Sequence, residues 1–144
     1  MFEALADYIV EKYASAKKIV EIGVGHRIEV ARRLKENLPK TEIIVTDKDD
    51  TWLRQHHRLT VVKSVVDDAT RPRIALYQNA SLIYSLHPPF ELVSSLEKLS
   101  DKVGSDLLIV PIADEQQDMQ NEGWTKIIQK GRTIGLLRQS THPK

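Results

Sequence analysis

The sequence predicts an α/β fold, a single doubly wound, mostly parallel sheet with helices on both faces and a C-terminal β-hairpin. Three observations carry that expectation. Short apolar strand patterns alternate with helical ones through five strands. A glycine-rich turn, Val20-Glu21-Ile22-Gly23-Val24-Gly25, joins the first strand to an amphipathic helix. Near the end, two apolar stretches flank Gln129-Lys130-Gly131-Arg132, the pattern of a hairpin.

Phe2, Leu5, Ala6, Ile9 and Tyr13 recur at helical spacing, so residues 2–15 predict an amphipathic helix laid against the sheet. Residues 17–22 read as the first strand. Over residues 27–38, Val30, Ala31, Leu34 and Leu38 line one helical face, and Pro39 marks the exit. The second strand covers 41–46 and ends at Asp47. Lys48-Asp49-Asp50-Thr51 suits the start of a short helix running towards His57. A third strand, 59–66, is followed by the acidic pair Asp67-Asp68. Pro72 fits the first turn of a short helix ending near Gln78.

The fourth strand, 81–85, leads into Leu86-His87-Pro88-Pro89-Phe90. Leu92, Val93, Leu96 and Leu99 then predict a helix over residues 90–99. Residues 106–112 are a continuous apolar run, the pattern of a strand covered on both faces. Residues 114–121 are polar and fit a short helix or a loop. Strands at 124–128 and 133–138 complete the hairpin. One domain over residues 1–138 is expected, with 139–144 as a frayed tail.

Right-handed crossovers bring the strand C-terminal ends to one edge, where open α/β sheets bind ligands. That edge gathers Gly23, Gly25, Asp47, Asp67, Asp68, Ser85 and His87. Glycine after the first strand frees the backbone and lets a ligand approach the main chain, while the following helix N-terminus presents unpaired amides. Asp47 follows at close to the roughly 20-residue spacing at which an acid reaches ribose hydroxyls. The competing reading makes Asp47 a helix-capping acid.

Composition narrows the function classes. A formal net charge of +1 over 144 residues argues against nucleic-acid or membrane binding by bulk electrostatics. The absence of cysteine excludes disulfides, thiolate catalysis and cysteine-ligated zinc. No apolar run approaches the roughly 20 residues of a membrane span. The opening Met1-Phe2-Glu3-Ala4-Leu5-Ala6-Asp7 lacks the layout of a signal peptide, so a cytoplasmic protein is expected.

Glu21-x-Gly23-x-Gly25, Asp47 and Asp68-Ala69 together resemble the first three motifs of class I S-adenosylmethionine-dependent methyltransferases. The resemblance implies that Glu21 sits near the methionine amino group, Asp47 holds the ribose and Asp68 meets the adenine amino group. The terminal hairpin is similar to that superfamily's last two strands, one of which runs antiparallel. The third glycine of the methyltransferase pattern is replaced by Arg27, and that of the dinucleotide pattern by Ile28. More narrowly, the whole chain resembles the uncharacterised protein family 0146, a small, mostly archaeal, Rossmann-like set without an assigned activity.

Leu86-His87-Pro88-Pro89-Phe90 is similar to the Asn/Asp-Pro-Pro-Tyr/Phe loop of methyltransferases acting on amino nitrogens. His87 stands at the polar position and Phe90 at the aromatic one, which makes them weak candidates for catalysis. The simpler reading is a proline-stiffened loop. In Trp52-Leu53-Arg54-Gln55-His56-His57-Arg58, adjacent histidines point about 100° apart on a helix and cannot chelate one ion together. A solvated surface is expected there, and also at Arg71 and Arg73. No metal site, nucleophile elbow or phosphate-binding loop is present.

Three functions follow. The first is binding of S-adenosylmethionine or S-adenosylhomocysteine through Glu21, Gly23, Gly25, Asp47 and Asp68, with a minimal methyltransferase left open. The second is a regulatory module binding NAD(P) or another nucleotide. The third is a degenerate Rossmann domain acting through a homo-oligomer or protein partner.

Overall fold

Strands with apolar residues on both faces need cover on both sides, and helices supply it. The computed structural model describes residues 2–25, 27–51, 62–112 and 123–141. Within them the chain runs α1 (Glu3–Lys12), β1 (Lys18–Ile22), α2 (Glu29–Asn37), β2 (Glu42–Asp47), β3 (Lys63–Val66) and β4 (Leu82–Leu86). It continues through α3 (Val93–Val103), β5 (Asp106–Val110), β6 (Thr125–Gln129) and β7 (Arg132–Arg138). The seven strands form one sheet in the order β3-β2-β1-β4-β5-β7-β6. β1 to β5 are parallel, and β7 runs antiparallel to both β5 and β6. The fold class expected from the sequence is the one observed.

Alternation along each strand sorts the core into two layers. Ile19, Leu82 and Tyr84 face α1 and α2, packing with Leu5, Ile9, Val30 and Leu34. Val20, Ile83 and Leu107 face the other way, onto Leu96 and Leu99 of α3. Each such side chain removed from water contributes about 1.5–3 kcal/mol. No helix among the described residues is long and apolar enough to cross a membrane.

The hairpin turns on Lys130 (φ 51) and Gly131 (φ 75). Positive φ at both central residues is the geometry whose twist matches the flanking strands. Two helices differ from expectation. Instead of a helix over 72–78 there is a 3-10 turn, Ile74–Leu76, and Pro72 precedes it. The Arg73 amide and guanidinium Nε donate to Asp67 Oδ1 at 3.2 and 3.3 Å, which draws this segment onto a side chain rather than into a helical ladder. After β4 a 3-10 turn, Phe90–Leu92, comes first, and α3 then runs on to Val103 before Gly104 stops it at φ 74. Asp50 and Thr51 begin a helix as expected. The remainder of that helix, the stretch Trp52 to Arg58 and residues 114–121 lie outside the described residues.

Candidate functional site

Because β1, β2 and β4 are parallel neighbours, their C-terminal ends meet at one edge, beside the point where strand order reverses. Gly23 (φ 74) and Gly25 (φ 57) take the left-handed backbone there, which other residues resist. The amides of Gly23 and Val24 donate to the Thr46 carbonyl at 2.9 and 3.0 Å. The Gly25 amide donates to Asp47 Oδ2 at 2.8 Å. Three successive residues thus tie the turn after β1 to the end of β2. Asp47 Oδ1 accepts from the Asp49 amide at 2.9 Å, and each carboxylate oxygen keeps a further lone pair for a ligand.

Glu21 is 1% exposed and pairs in register with Tyr84 on β4. The Tyr84 hydroxyl donates to Glu21 Oε1 at 2.6 Å, while Oε2 takes no hydrogen bond among the described residues. Burial raises the Glu21 carboxyl to about 8, and the charges of Glu29 and Asp47 add to the rise. The Tyr84 bond works in the opposite direction. At neutral pH the acid therefore carries its proton. Replacing Tyr84 with Phe is expected to cost about 1–2 kcal/mol and to raise the Glu21 carboxyl further. Urea denaturation checks the first effect, and a carboxyl-labelled NMR titration checks the second.

Glu21, Gly23 and Gly25 line a cleft of about 270 Å³, bounded also by Arg27, His87 and Phe2. The Phe2 and His87 rings meet edge-on with centroids 5.7 Å apart. His87 adopts φ 53, and its amide donates to the Val110 carbonyl at 2.8 Å, which fixes the loop after β4 to β5. Positive φ directly before a proline is strained, because that position favours extended backbone. Arg27 is exposed and has no ion pair among the described residues. Just beyond it, α2 begins without a side-chain cap, so its first turn presents amides and partial positive charge.

The remaining candidates are placed elsewhere. Asp47 stands one hydrogen bond behind Gly25 and is not on the cleft wall. Asp68 is exposed, and its Oδ1 accepts from the Thr70 amide at 2.9 Å and the Thr70 hydroxyl at 2.7 Å. Those bonds hold its carboxyl below the usual range. Phe90 is 48% exposed and lies outside the lining. Sequence reasoning missed the part that Tyr84, Thr46 and Phe2 play. A polar residue on each strand beside β1 was the available signal for the first two.

Residues 2–135 match the profile of the uncharacterised protein family UPF0146. A UPF0146 protein of Archaeoglobus fulgidus is 35% identical over 138 residues, covering 96% of this chain and 95% of that relative. One from Methanothermobacter thermautotrophicus is 34% identical over 133 residues, covering 92% and 91%. Among solved structures, protein 1320 of Thermoplasma acidophilum is similar with a TM-score of 0.66 at 11% identity, over 96% of this chain and 90% of that one. A putative caffeoyl-CoA O-methyltransferase from Staphylococcus aureus gives a TM-score of 0.63 at 11% identity, over 94% and 81%. At such identities the likeness is one of fold, the Rossmann-like sheet of methyltransferases. The family profile and the relatives each span nearly the whole chain, and on that ground the protein belongs to the UPF0146 family.

Proposed function

We propose that the cleft after β1 binds S-adenosylmethionine or S-adenosylhomocysteine, on a minimal methyltransferase scaffold. The observation that carries this reading is Glu21. It is a buried acid at the cleft floor, with one oxygen held by Tyr84 and the other without a hydrogen bond among the described residues. An ammonium group supplies both the charge and the donor that the site lacks. Arg27 and the uncapped start of α2 suit the carboxylate beside that ammonium. Gly23 and Gly25 admit ligand atoms close to the main chain, and Asp47, just beyond the cleft wall behind Gly25, offers lone pairs to a ribose diol that reaches past that turn. A dinucleotide has neutral amino and amide donors but no ammonium group to bring to Glu21, so the NAD(P) reading leaves the charge of this buried acid unmatched.

Bound there, S-adenosylmethionine would supply an electrophilic methyl group. The chain's own contribution is to hold, orient and shield, the main source of rate in such transfers. His87 and Phe2 form the wall on that side. Phe90 stays outside the cleft and takes no part in this reading.

Isothermal titration calorimetry with S-adenosylmethionine tests it. Asp47→Ala is expected to weaken binding by about tenfold or more, since ribose contacts and the Gly25 tether go together. At pH 7 the ligand's ammonium should drive the proton from Glu21, so binding releases close to one proton, read from buffers of different ionisation heat. Glu21→Gln should abolish that release. Unchanged affinity in Asp47→Ala, or preferential binding of NADH, would sink the reading.

A further inference from the structure

The loop after β3 and the outer side of α3 enclose a second cleft of about 440 Å³, which shares no residue with the first. Arg71 enters from the loop, Lys98 and Lys102 from α3, and Ser95 adds a hydroxyl. Ile74 and Leu99 form an apolar floor. Lys98 and Lys102 lie one helical turn apart, where like charges repel unless something neutralises them. None of the three cations makes an ion pair among the described residues.

Nearby carboxylates are committed elsewhere. Glu97 and Asp101 on α3 hold Arg138 at 3.6 and 2.7 Å. Asp67 is held by Arg73 and by the Tyr77 hydroxyl. Asp68 feels the charge of Arg71 without reaching ion-pair distance, and Thr70 spans its Oδ1. The cleft therefore presents three cations over an apolar base, with no carboxylate among the described residues at ion-pair distance and only the exposed Asp68 acting on Arg71 from further off.

We propose that this cleft binds a nucleoside diphosphate. Three cations balance a diphosphate, Ser95 gives it a further donor, and the floor of Ile74 and Leu99 suits a flat base. The volume falls in the range of about 300–1,000 Å³ typical of small-ligand sites. A net charge of +1 lacks the extended positive field on which nucleic-acid binding draws, so a compact anion fits better than an RNA strand. The site is separate from the cleft after β1, and its test does not depend on that reading.

The test is a ¹⁵N NMR titration of the full chain with ADP, adenosine, pyrophosphate and a short single-stranded RNA. ADP should shift the Arg71, Ser95, Lys98 and Lys102 amides saturably, with adenosine and pyrophosphate each binding about tenfold more weakly. The double variant Lys98→Glu with Lys102→Glu should weaken ADP by about tenfold or more. Lys98→Gln with Lys102→Gln provides a milder replacement, whose melting curve reports an intact fold. Overturning results are ADP shifts confined to Gly23 and Gly25, pyrophosphate binding as tightly as ADP, RNA binding where ADP does not, or no saturable shift at all.

Discussion

Glu21→Gln is expected to remove a steep loss of stability that the natural protein suffers between pH 4.5 and about 8. Burial holds the folded carboxyl near 8, while the unfolded chain releases its proton near 4.5. Across that window the folded state binds one proton more than the unfolded state, so stability falls as pH rises. It is highest below 4.5 and levels off above about 8. At roughly 1.4 kcal/mol per unit, the loss is on the order of 5 kcal/mol. A glutamine accepts the Tyr84 hydroxyl bond with the same carbonyl geometry and never titrates. Urea denaturation at pH 5, 6.5 and 8 should show the variant gaining on the natural protein at every step. Parallel pH profiles would mean that Glu21 is not a buried titrating group.

Asp67→Ala should lower the melting temperature by about 10 °C, whereas Asp68→Ala should leave it unchanged. The Asp67 side chain is 3% exposed and accepts the Tyr77 hydroxyl at 2.5 Å as well as the Arg73 amide and guanidinium. The Arg73 guanidinium also donates to the Val66 carbonyl. Removing that carboxylate strands a fully buried phenol and a backbone amide, at a cost of about 3 kcal/mol. Asp68 holds only its own turn at the surface. Scanning calorimetry of the two variants side by side checks this, and equal losses would refute the division of labour.

That division marks how far the sequence could be read. Strand and helix periodicity, with glycines and acids at strand ends, was enough to place Glu21, Gly23, Gly25 and Asp47 around one turn. Topology alone carries such residues to a common edge. The pairing of Glu21 with Tyr84 was beyond reach, because it depends on the register between β1 and β4, which are far apart in sequence. The adjacent acids Asp67 and Asp68 look alike on paper. Only the packing of Tyr77 and Arg73 decides that the first turns inward, and the same contacts shorten the helix expected after Pro72 to a single 3-10 turn.

The edge-on contact of Phe2 with His87 has a practical corollary. Phe2 belongs to the wall of the cleft, so anything fused immediately ahead of it is delivered to the cleft's mouth. An affinity tag attached there would compete with a ligand or crowd it out. A screen run on such a fusion would register silence from a protein able to bind. Ligand screens should therefore use protein carrying its handle after β7, or none.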